Sequence, residues 1–401
     1  MNTSFAVDVV IIGAGIAGLW LHHRLRQQGV NSVLLERQAI GQGQTFSAQG
    51  IIHGGTKYAL NGILSSASQA IGDMPDRWTR CLTGQGDVDL SVAKILSPHQ
   101  YLWSSTRLSA KLTSFFASKA LSSRMQPVES NRPTIFQHSD FNGLLYQLTE
   151  PVLCIPSVMA ALAAPYRDSI FLTADIAQYR WQYNQQQQRI EALHLDHNIT
   201  LTAQHYVLTA GEGNADLIHQ LQLTQPEMQR RPLQMLLCRA TDPKNTLPEL
   251  YAHYLDGGSK PAMTITSHYD QHGQCIWYIG GDIAEHGVHL TPPQLQAKAY
   301  QQLTAALPWF SFPRLSWHCH RIDRAEPRQA ILSRPDAAFL HSQNNCHIAW
   351  PTKLALAPNL ADKAITAMTQ QGLQPRYQHN ALHQCLARAP IATPLWDTFA
   401  Q

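Results

Sequence analysis

An apolar run near the start of the chain leads directly into three closely spaced glycines. Residues 9–12 are all valine or isoleucine, and Gly13, Gly15 and Gly18 follow them. A buried strand that enters such a turn and then a helix lets the backbone approach a pyrophosphate, because unpaired N–H groups and the helix dipole favour negative charge there. The pattern therefore predicts a strand, a tight turn and a helix over residues 16–28 that together bind an adenine dinucleotide.

A second apolar segment, residues 33–35, ends in Glu36 at the distance expected for a ribose contact. A carboxylate at the end of the second strand accepts hydrogen bonds from the adenosine ribose and repels a 2′-phosphate. Within the turn, Gly13 makes the bend, Gly15 leaves room for the phosphates and Gly18 lets the helix pack on the strand. The dinucleotide contacts predicted for this unit are Gly13, Ala14, Gly15, Ile16, Ala17, Gly18, Glu36 and Arg37.

Composition places the chain among globular proteins. It has 401 residues, 44% of them hydrophobic, which is enough for two domains and a large core. The formal net charge is +3 and the basic residues are scattered, so no nucleic-acid partner is expected. The seven cysteines include no Cys-x-x-Cys pair, which favours the reducing cytoplasm and opposes a disulfide framework or a zinc site. No segment is long and apolar enough to predict a transmembrane helix.

The dinucleotide-domain pattern returns twice later in the chain. Residues 200–209 alternate between apolar and polar up to a glycine turn at Ala210 and Gly211, which predicts a strand followed by a ligand-contacting turn. Further on, residues 338–350 again predict strands, and a helix over 359–370 follows them.

Between these two returns the chain has the pattern of an antiparallel sheet. Residues 231–320 contain short alternating segments separated by glycine, proline and aspartate, with one amphipathic helix over 292–306. The sequence therefore predicts an α/β fold in which a Rossmann-type dinucleotide-binding domain is interleaved with a mainly antiparallel substrate sheet. The predicted boundaries are 1–75, 150–225 and 328–378 for the dinucleotide-binding domain, 76–149 and 226–327 for the substrate domain, and 379–401 for a C-terminal tail.

Four motifs resemble those of the FAD-dependent D-amino acid oxidase and glycerol-3-phosphate dehydrogenase superfamily. They are the glycine fingerprint, the loop at residues 44–55, residues 207–211 and the closing residues 353–358. The loop is similar to the one with which glycerol-3-phosphate dehydrogenases contact flavin, since it ends in His-Gly-Gly before Lys57 and Tyr58.

The resemblance implies a D-amino acid oxidase-like fold with FAD as cofactor. It also implies hydride transfer to flavin from a carbon that carries an amine or hydroxyl in a small substrate, with the redox chemistry supplied by the cofactor. The flavin contacts that it implies are Thr45, Ser47, Gln49, Gly50, Ala210, Gly211, Thr352, Lys353 and Leu354.

One departure from the family pattern concerns how the FAD is held. Ser47 stands where glycerol-3-phosphate dehydrogenases carry an arginine, so a glycerophosphate substrate is not expected. Dimethylglycine-type relatives place a flavin-linked histidine at the same position, and a serine hydroxyl does not form that bond. The FAD is therefore predicted to be non-covalent, with His53 as the alternative attachment point.

Three residues are candidates for the chemistry itself. His53, on the flavin loop, and His268, after a predicted strand, are acid–base candidates because imidazole titrates near neutral pH. An amine substrate that binds deprotonated needs no such base. Lys353 is a candidate for stabilising negative charge on the reduced flavin.

An arginine is the predicted anchor for a substrate carboxylate, because a guanidinium binds a carboxylate in two-point geometry. Arg321, Arg324 and Arg328 precede the return to the dinucleotide domain, and the acidic residues Asp323 and Glu326 between them are alternative partners. Arg321 is the first choice, since strand alternation from residue 315 onwards places it on the more apolar face, where a buried guanidinium needs an anion.

The His-Cys-His cluster at residues 318–320 does not predict a metal site. In a strand, alternate side chains point to opposite faces, so Cys319 does not join its two neighbours around one ion. No other metal site is predicted.

Three functional classes stay open at this point. The favoured class is an FAD-dependent oxidase or dehydrogenase for a small amino or hydroxy acid. The second is an NAD-dependent dehydrogenase, which the flavin-type loops oppose. The third is a flavoprotein component that acts on a macromolecule or a carrier-bound product within a larger complex. In both flavin-dependent classes the sequence does not identify the electron acceptor, which is dioxygen, a quinone or another molecule.

Overall fold

Two eight-stranded sheets and a small two-stranded sheet, built from alternating stretches of the chain, organise the fold. The computed structural model describes residues 3–54, 71–105, 125–195, 198–257, 260–329, 337–378 and 381–399. Three residues of the motif resemblance, Gly55, Lys57 and Tyr58, lie outside these ranges.

The strands and helices are numbered in chain order. The strands are β1 (Thr3–Ile12), β2 (Ser32–Glu36), β3 (Ile95–Ser97), β4 (Gln100–Ser104), β5 (Met125–Pro127), β6 (Leu144–Leu148), β7 (Val152–Leu153), β8 (Ile170–Leu172), β9 (Arg180–Asn184), β10 (Arg189–Leu195), β11 (Ile199–Leu208), β12 (Met228–Ala240), β13 (Tyr251–Tyr254), β14 (Met263–Tyr269), β15 (Cys275–Gly280), β16 (Leu315–Pro327), β17 (Phe339–Gln343) and β18 (Cys346–Trp350). The helices are α1 (Ile16–Gln27), α2 (Met74–Leu82), α3 (Ile155–Ala163), α4 (Asn214–Gln220), α5 (Asp282–His286), α6 (Pro292–Ala306), α7 (Ala357–Gln370) and α8 (Leu395–Phe399).

The first sheet has a parallel centre in the order β18-β11-β1-β2-β8, with β17 antiparallel at one edge. Hydrophobic clusters cover both faces of its central strands, and residues 9–12 of β1 and 33–35 of β2 are continuous, buried apolar runs. Ile12 pairs with Leu208 on one side and Leu35 on the other. The carboxyl ends of three strands therefore meet at one edge, and they bring Gly13, Glu36 and the turn after β11 together.

The second sheet has the order β16-β12-β15-β14-β13-β4-β6-β5, and all its pairs are antiparallel except β13 with β4. One face packs on α6 through a hydrophobic cluster that includes Leu236, Cys238, Leu295 and Leu303. The opposite face, here called the open face, is turned toward the edge of the first sheet where Gly13 and Glu36 lie.

This architecture confirms the α/β fold that the sequence predicts, with a Rossmann-type sheet and a mainly antiparallel second sheet. Helix α6 has the predicted bounds, and it begins at a capping box formed by Thr291 and Gln294. Helix α1 ends one residue before the predicted position, and α7 begins two residues earlier, at Ala357. Among the described ranges, no helix combines the length and apolar character needed to cross a bilayer. The cysteines are unpaired.

The last described segment of the chain contacts both sheets. Ile391 bridges to Ile40, and the N–H of Ala392 donates to the carbonyl of Ile40 at 3.0 Å, just before the predicted flavin loop. Farther along, the ring of Trp396 stacks on His268 of β14 with 4.0 Å between ring centroids. The C-terminal tail therefore links the loop beside the first sheet to the open face of the second.

Candidate active site

A cavity of about 570 Å³ lies between the carboxyl edge of the first sheet and the open face of the second. Most of the sequence-predicted site residues line it: Gly13, Gly15, Ile16, Ala17, Glu36, Arg37, Thr45, Ser47, Gln49, Gly50, His53, Ala210, Gly211, Arg321, Thr352, Lys353 and Leu354. Ala14, Gly18 and His268 are not among its lining residues.

The N-terminus of α1 opens into this cavity at Gly15. The N-cap residue Gly15 has no side chain to cap the helix, and the N–H of Ile16 donates to the hydroxyl of Thr45 at 3.1 Å. A Cβ atom added at Gly15 would meet only the Thr45 hydroxyl, at 3.2 Å, so the space in front of the helix belongs to the cavity. A helix N-terminus that begins at glycine and has room before it fits a pyrophosphate.

The other two fingerprint glycines serve the turn itself. Gly13 has a φ of +102°, which a residue with a side chain rarely adopts. A Cβ atom at Gly18 would lie 2.1 Å from the carbonyl oxygen of Gly13, so the helix packs on the turn only with glycine there. Gly18 therefore allows α1 to pack against the turn at Gly13 and does not itself line the cavity.

Glu36 ends β2 at the far end of the cavity. Its carboxylate accepts hydrogen bonds from the backbone N–H of Ala14 at 2.8 Å and of Gln38 at 2.9 Å. These bonds fix its orientation, and a carboxylate keeps further acceptor sites for a ribose hydroxyl. Ile176 and Tyr179 line the cavity as well. Sequence reasoning missed both, because no motif marks the turn between β8 and β9.

The flavin loop is bound to the second sheet by side-chain hydrogen bonds. The Ser47 hydroxyl donates to the carbonyl of Gly43 and pairs with Nε2 of His320, each at 2.9 Å. The Tyr278 hydroxyl donates to the Ser47 carbonyl at 2.9 Å. Nε2 of Gln49 donates to backbone carbonyls of β14 and β15, at 2.9 and 3.0 Å. The predicted flavin contacts are thus held in place by the substrate sheet.

The closing segment contains a backbone conformation that is uncommon for its residue type. Thr352 has a φ of +60°, and its hydroxyl donates to the carbonyl of Ala337 at 3.0 Å. Before it, the indole N–H of Trp350 donates to the carbonyl of Gly211 at 3.0 Å. A non-glycine residue in the left-handed region is typical of functional sites that the surrounding structure holds in place. Lys353 follows directly and lines the cavity.

His53 belongs to a cluster that the sequence did not reveal. Its Nδ1 lies 3.2 Å from Oε2 of Glu150, which is only 3% exposed. The same carboxylate accepts hydrogen bonds from Nε2 of Gln100 at 2.5 Å and from the N–H of Gly54 at 2.8 Å. The His253 ring lies 5.9 Å from that of His53. These partners are far from His53 in the sequence, so only the three-dimensional structure identifies them.

The cluster has the composition of a metal site, since one ligand atom each from His53, Glu150 and His253 all lie within 4.8 Å of one another. The hydrogen bonds favour a different use. Two N–H donors and Nδ1 of His53 already surround the Glu150 carboxylate, and Nδ1 of His253 lies 2.7 Å from the hydroxyl of Thr264. The geometry is that of a hydrogen-bonded polar network on the cavity wall.

The structure contradicts one premise of the first choice for the substrate anchor, since Arg321 lines the cavity but is not buried. The Arg321 side chain is 49% exposed and pairs with Asp323 at 3.1 Å, so the prediction that it is buried is wrong. Strand alternation does place it on the face of Trp317 and Cys319, but that face packs on α6. The helix begins at Pro292, whose carbonyl contacts Cys319, and Arg321 lies beyond this point.

The open face of β16 carries a different arginine. In the pairing with β12, His320 lies opposite Met235, Ile322 opposite Leu233, and Arg324 opposite Arg231. Directly opposed residues share one face of an antiparallel pair, and these rows face the cavity, which Met235, Leu233 and Arg324 line. The third candidate, Arg328, pairs with Glu227 and is not a lining residue.

His268, unlike the candidates His53 and Lys353, does not line the cavity. Its ring is 1% exposed, stacks on Trp396 and bonds the Thr266 hydroxyl at 3.1 Å. Burial lowers the pKa of His268 to about 3. A neutral, enclosed imidazole that does not line the cavity packs the open face and does not exchange protons with a ligand.

Fold and site together define a flavoenzyme of known type. Residues 8–349 match the family model DAO, described as FAD dependent oxidoreductase, and the chain belongs to this family. It is therefore an FAD-dependent oxidoreductase, and FAD rather than NAD is its cofactor.

Among relatives, a probable FAD-dependent oxidoreductase of Pseudomonas aeruginosa is 44% identical over 399 residues, which is 99% of each chain. The crystal structure of the FAD dependent oxidoreductase from that organism has a TM-score of 0.85 at 38% identity, over 100% of both chains.

Two distant structures share the fold. Glycine oxidase from Geobacillus kaustophilus has a TM-score of 0.60 at 14% identity, over 93% of this chain and 100% of that one. L-alpha-glycerophosphate oxidase from Mycoplasma pneumoniae, solved with FAD bound, has a TM-score of 0.61 at 10% identity, over 93% and 97%.

Replacing Gly15 with valine should give a folded protein that loses its flavin. The added side chain would occupy the space before the α1 N-terminus, while its only close neighbour in the protein is the movable Thr45 hydroxyl. Flavin absorbance per folded chain, with folding checked by circular dichroism, measures the effect. Gly18→Ala is the contrasting variant: its Cβ atom would meet the Gly13 carbonyl, so it should lose about 1–3 kcal/mol of stability. Full flavin content in folded Gly15→Val would contradict the assignment.

Replacing His268 with phenylalanine should make the folded state less sensitive to acid. Between the unfolded pKa near 6.5 and the folded value of about 3, the unfolded chain binds one more proton at this residue, so stability falls as the pH falls. The free energy of unfolding should therefore depend on pH less steeply in His268→Phe, by about 1.4 kcal/mol per pH unit. Urea unfolding between these pH values gives the slopes. The exposed His272→Phe should keep the native slope, and an unchanged slope in His268→Phe would refute the structural role.

Proposed function

We propose that this protein oxidises a small, carboxylate-bearing substrate at a carbon that carries an amine or a hydroxyl, with FAD bound non-covalently. When bound, FAD accepts the hydride and supplies the redox chemistry. The protein's own residues hold the cofactor, orient the substrate and manage its charges and protons. The distant fold relative named glycine oxidase is consistent with this substrate class.

The observation that carries the proposal is the continuity of the cavity. One end is lined by Gly15 and Glu36, which suit a pyrophosphate and a ribose, and the same cavity is lined by His53 and Arg324 from the other side. A dinucleotide held at the first end therefore extends toward residues that suit an acidic small molecule. Lys353 lines the cavity from the closing segment, and its cation would stabilise negative charge that develops on the cofactor.

The anchor for the substrate carboxylate is assigned to Arg324. It is half-buried, and it lies on the open face of β16 among residues that line the cavity. A guanidinium in a partly desolvated wall binds a carboxylate with two parallel hydrogen bonds. The proposed anchor is therefore Arg324 instead of Arg321.

The first experiment asks whether flavin in the purified protein is reduced by small acids. The protein should be yellow, acid precipitation should leave the flavin in the supernatant, and anaerobic addition of amino or hydroxy acids should bleach it. Admission of dioxygen or a quinone then identifies the electron acceptor. A yellow pellet would show a covalent link, with His53 the first residue to test. A flavin that no small acid reduces would contradict the proposal and favour a macromolecular or carrier-bound substrate.

Replacing Arg324 with methionine should lower kcat/KM for the substrate about a hundredfold, as expected for the loss of about 2–4 kcal/mol from a charge-assisted pair. The flavin spectrum should be unchanged, because the contact is to the substrate. Arg328→Met is the matched control and should behave like the native enzyme. A larger effect in Arg321→Met than in Arg324→Met would return the anchor to Arg321.

A further inference from the structure

The C-terminal tail extends the edge of the first sheet. The N–H of Leu172 in β8 donates to the carbonyl of Ala387 at 2.8 Å, and the N–H of Ala389 donates to the carbonyl of Ile170 at 3.1 Å. The pairing is antiparallel. Up to residue 389, the tail is therefore bonded to the same sheet as the dinucleotide fingerprint.

The tail next passes the residue that leads into the flavin loop. The N–H of Ile40 donates to the carbonyl of Pro390 at 2.7 Å, and the carbonyl of Ile40 accepts from the N–H of Ala392 at 3.0 Å. Ile40, Ala392 and the loop residue Phe46 belong to one hydrophobic cluster. Both backbone groups of Ile40 are thus bonded to the tail.

Helix α8, which follows, lies on the open face of the second sheet, and its Trp396 is 5% exposed. The Trp396 ring stacks on His268 with 4.0 Å between centroids, and the His268 ring meets that of Tyr278 edge-on at 6.1 Å. The Tyr278 hydroxyl in turn donates to the carbonyl of Ser47 at 2.9 Å. Two ring contacts and one hydrogen bond therefore connect the tail to the flavin loop.

The tail and the cavity contact the flavin loop in different ways. Within the part of the chain that the structure describes, Thr45, Ser47 and Gln49 line the cavity, but the rings of Trp396, His268 and Tyr278 do not. A cofactor in the cavity and the tail on the open face are thus two separate supports for one loop. Either support restricts the loop, so the second binds to a loop whose conformational entropy is already reduced.

We infer that the C-terminal tail holds the flavin loop in its FAD-binding conformation, with Trp396 as the positioning residue, so that tail docking and FAD binding strengthen each other. Coupling between two sites is reciprocal. The factor by which the docked tail lowers the Kd for FAD therefore equals the factor by which FAD favours the docked tail. The coupling involves the cofactor alone and is independent of which substrate reduces the flavin.

Replacing Trp396 with alanine removes the ring that stacks on His268. Fluorescence titration of the apoprotein with FAD should give a Kd about tenfold higher than native, a typical size for coupling between two sites. Trp396→Phe keeps an aromatic ring and should restore most of the affinity. Thr398→Ala, at an exposed position of the same helix, is the matched control. An unchanged Kd in folded Trp396→Ala, or an equal rise in Thr398→Ala, would overturn the proposal.

A second variant loosens α8 without removing a buried ring. Oδ1 of Asp397 accepts from the N–H of Gln271, in the turn between β14 and β15, at 2.9 Å. Asp397→Ala loses this acceptor and should raise the Kd for FAD, whereas Asp397→Asn keeps an acceptor oxygen and should bind FAD more tightly than Asp397→Ala. This comparison stands if Trp396→Ala fails to fold. Equal Kd values in the two Asp397 variants would contradict the docking role.

Hydrogen exchange followed by mass spectrometry gives a readout that a merely structural tail would not change. Peptides that cover residues 390–399 should exchange faster in the apoprotein than in the holoenzyme, because FAD no longer orders the loop that they support. The meander of β9 and β10, which does not line the cavity, should exchange equally in both forms. Equal exchange of the tail in both forms, or a uniform increase over the whole chain, would overturn the coupling.

Discussion

The attachment of the flavin loop to the second sheet is the constraint on which the site depends. Gln49 and Ser47 belong to a loop of the dinucleotide-binding part of the chain, yet their hydrogen bonds end on β14, β15 and β16. The cavity is therefore a joint product of the two sheets. A shift of the second sheet would therefore move the predicted flavin contacts together with the cavity wall that this sheet forms.

The part of the fold that the sequence predicts is the part that depends on residues close to one another in the chain. A continuous apolar run, three glycines and an acidic residue at a set distance specify β1, the turn, α1 and β2. They do so because these elements are neighbours in sequence and pack directly on one another. The bounds of α6 follow in the same way from its capping box and its amphipathic period. These elements can be predicted without considering residues that are far away in the sequence.

The features that were not predictable depend on which element covers which face. Alternation in β16 correctly separated Cys319 from its two histidine neighbours, and correctly placed Arg321 with Trp317. It did not indicate that this face packs on α6, or that the helix begins level with Cys319. Glu150 was missed for a related reason: its partners His53 and Gln100 are 97 and 50 residues away, and only the fold brings them together.

The C-terminal tail has a consequence for how the holoenzyme is made. Ala392 is bonded to Ile40 at the entrance of the flavin loop, and Trp396 covers His268 on the open face. During synthesis, these residues leave the ribosome after every strand of both sheets. The contacts that tie the loop beside the first sheet to the open face of the second therefore form only after all the described strands have been synthesised.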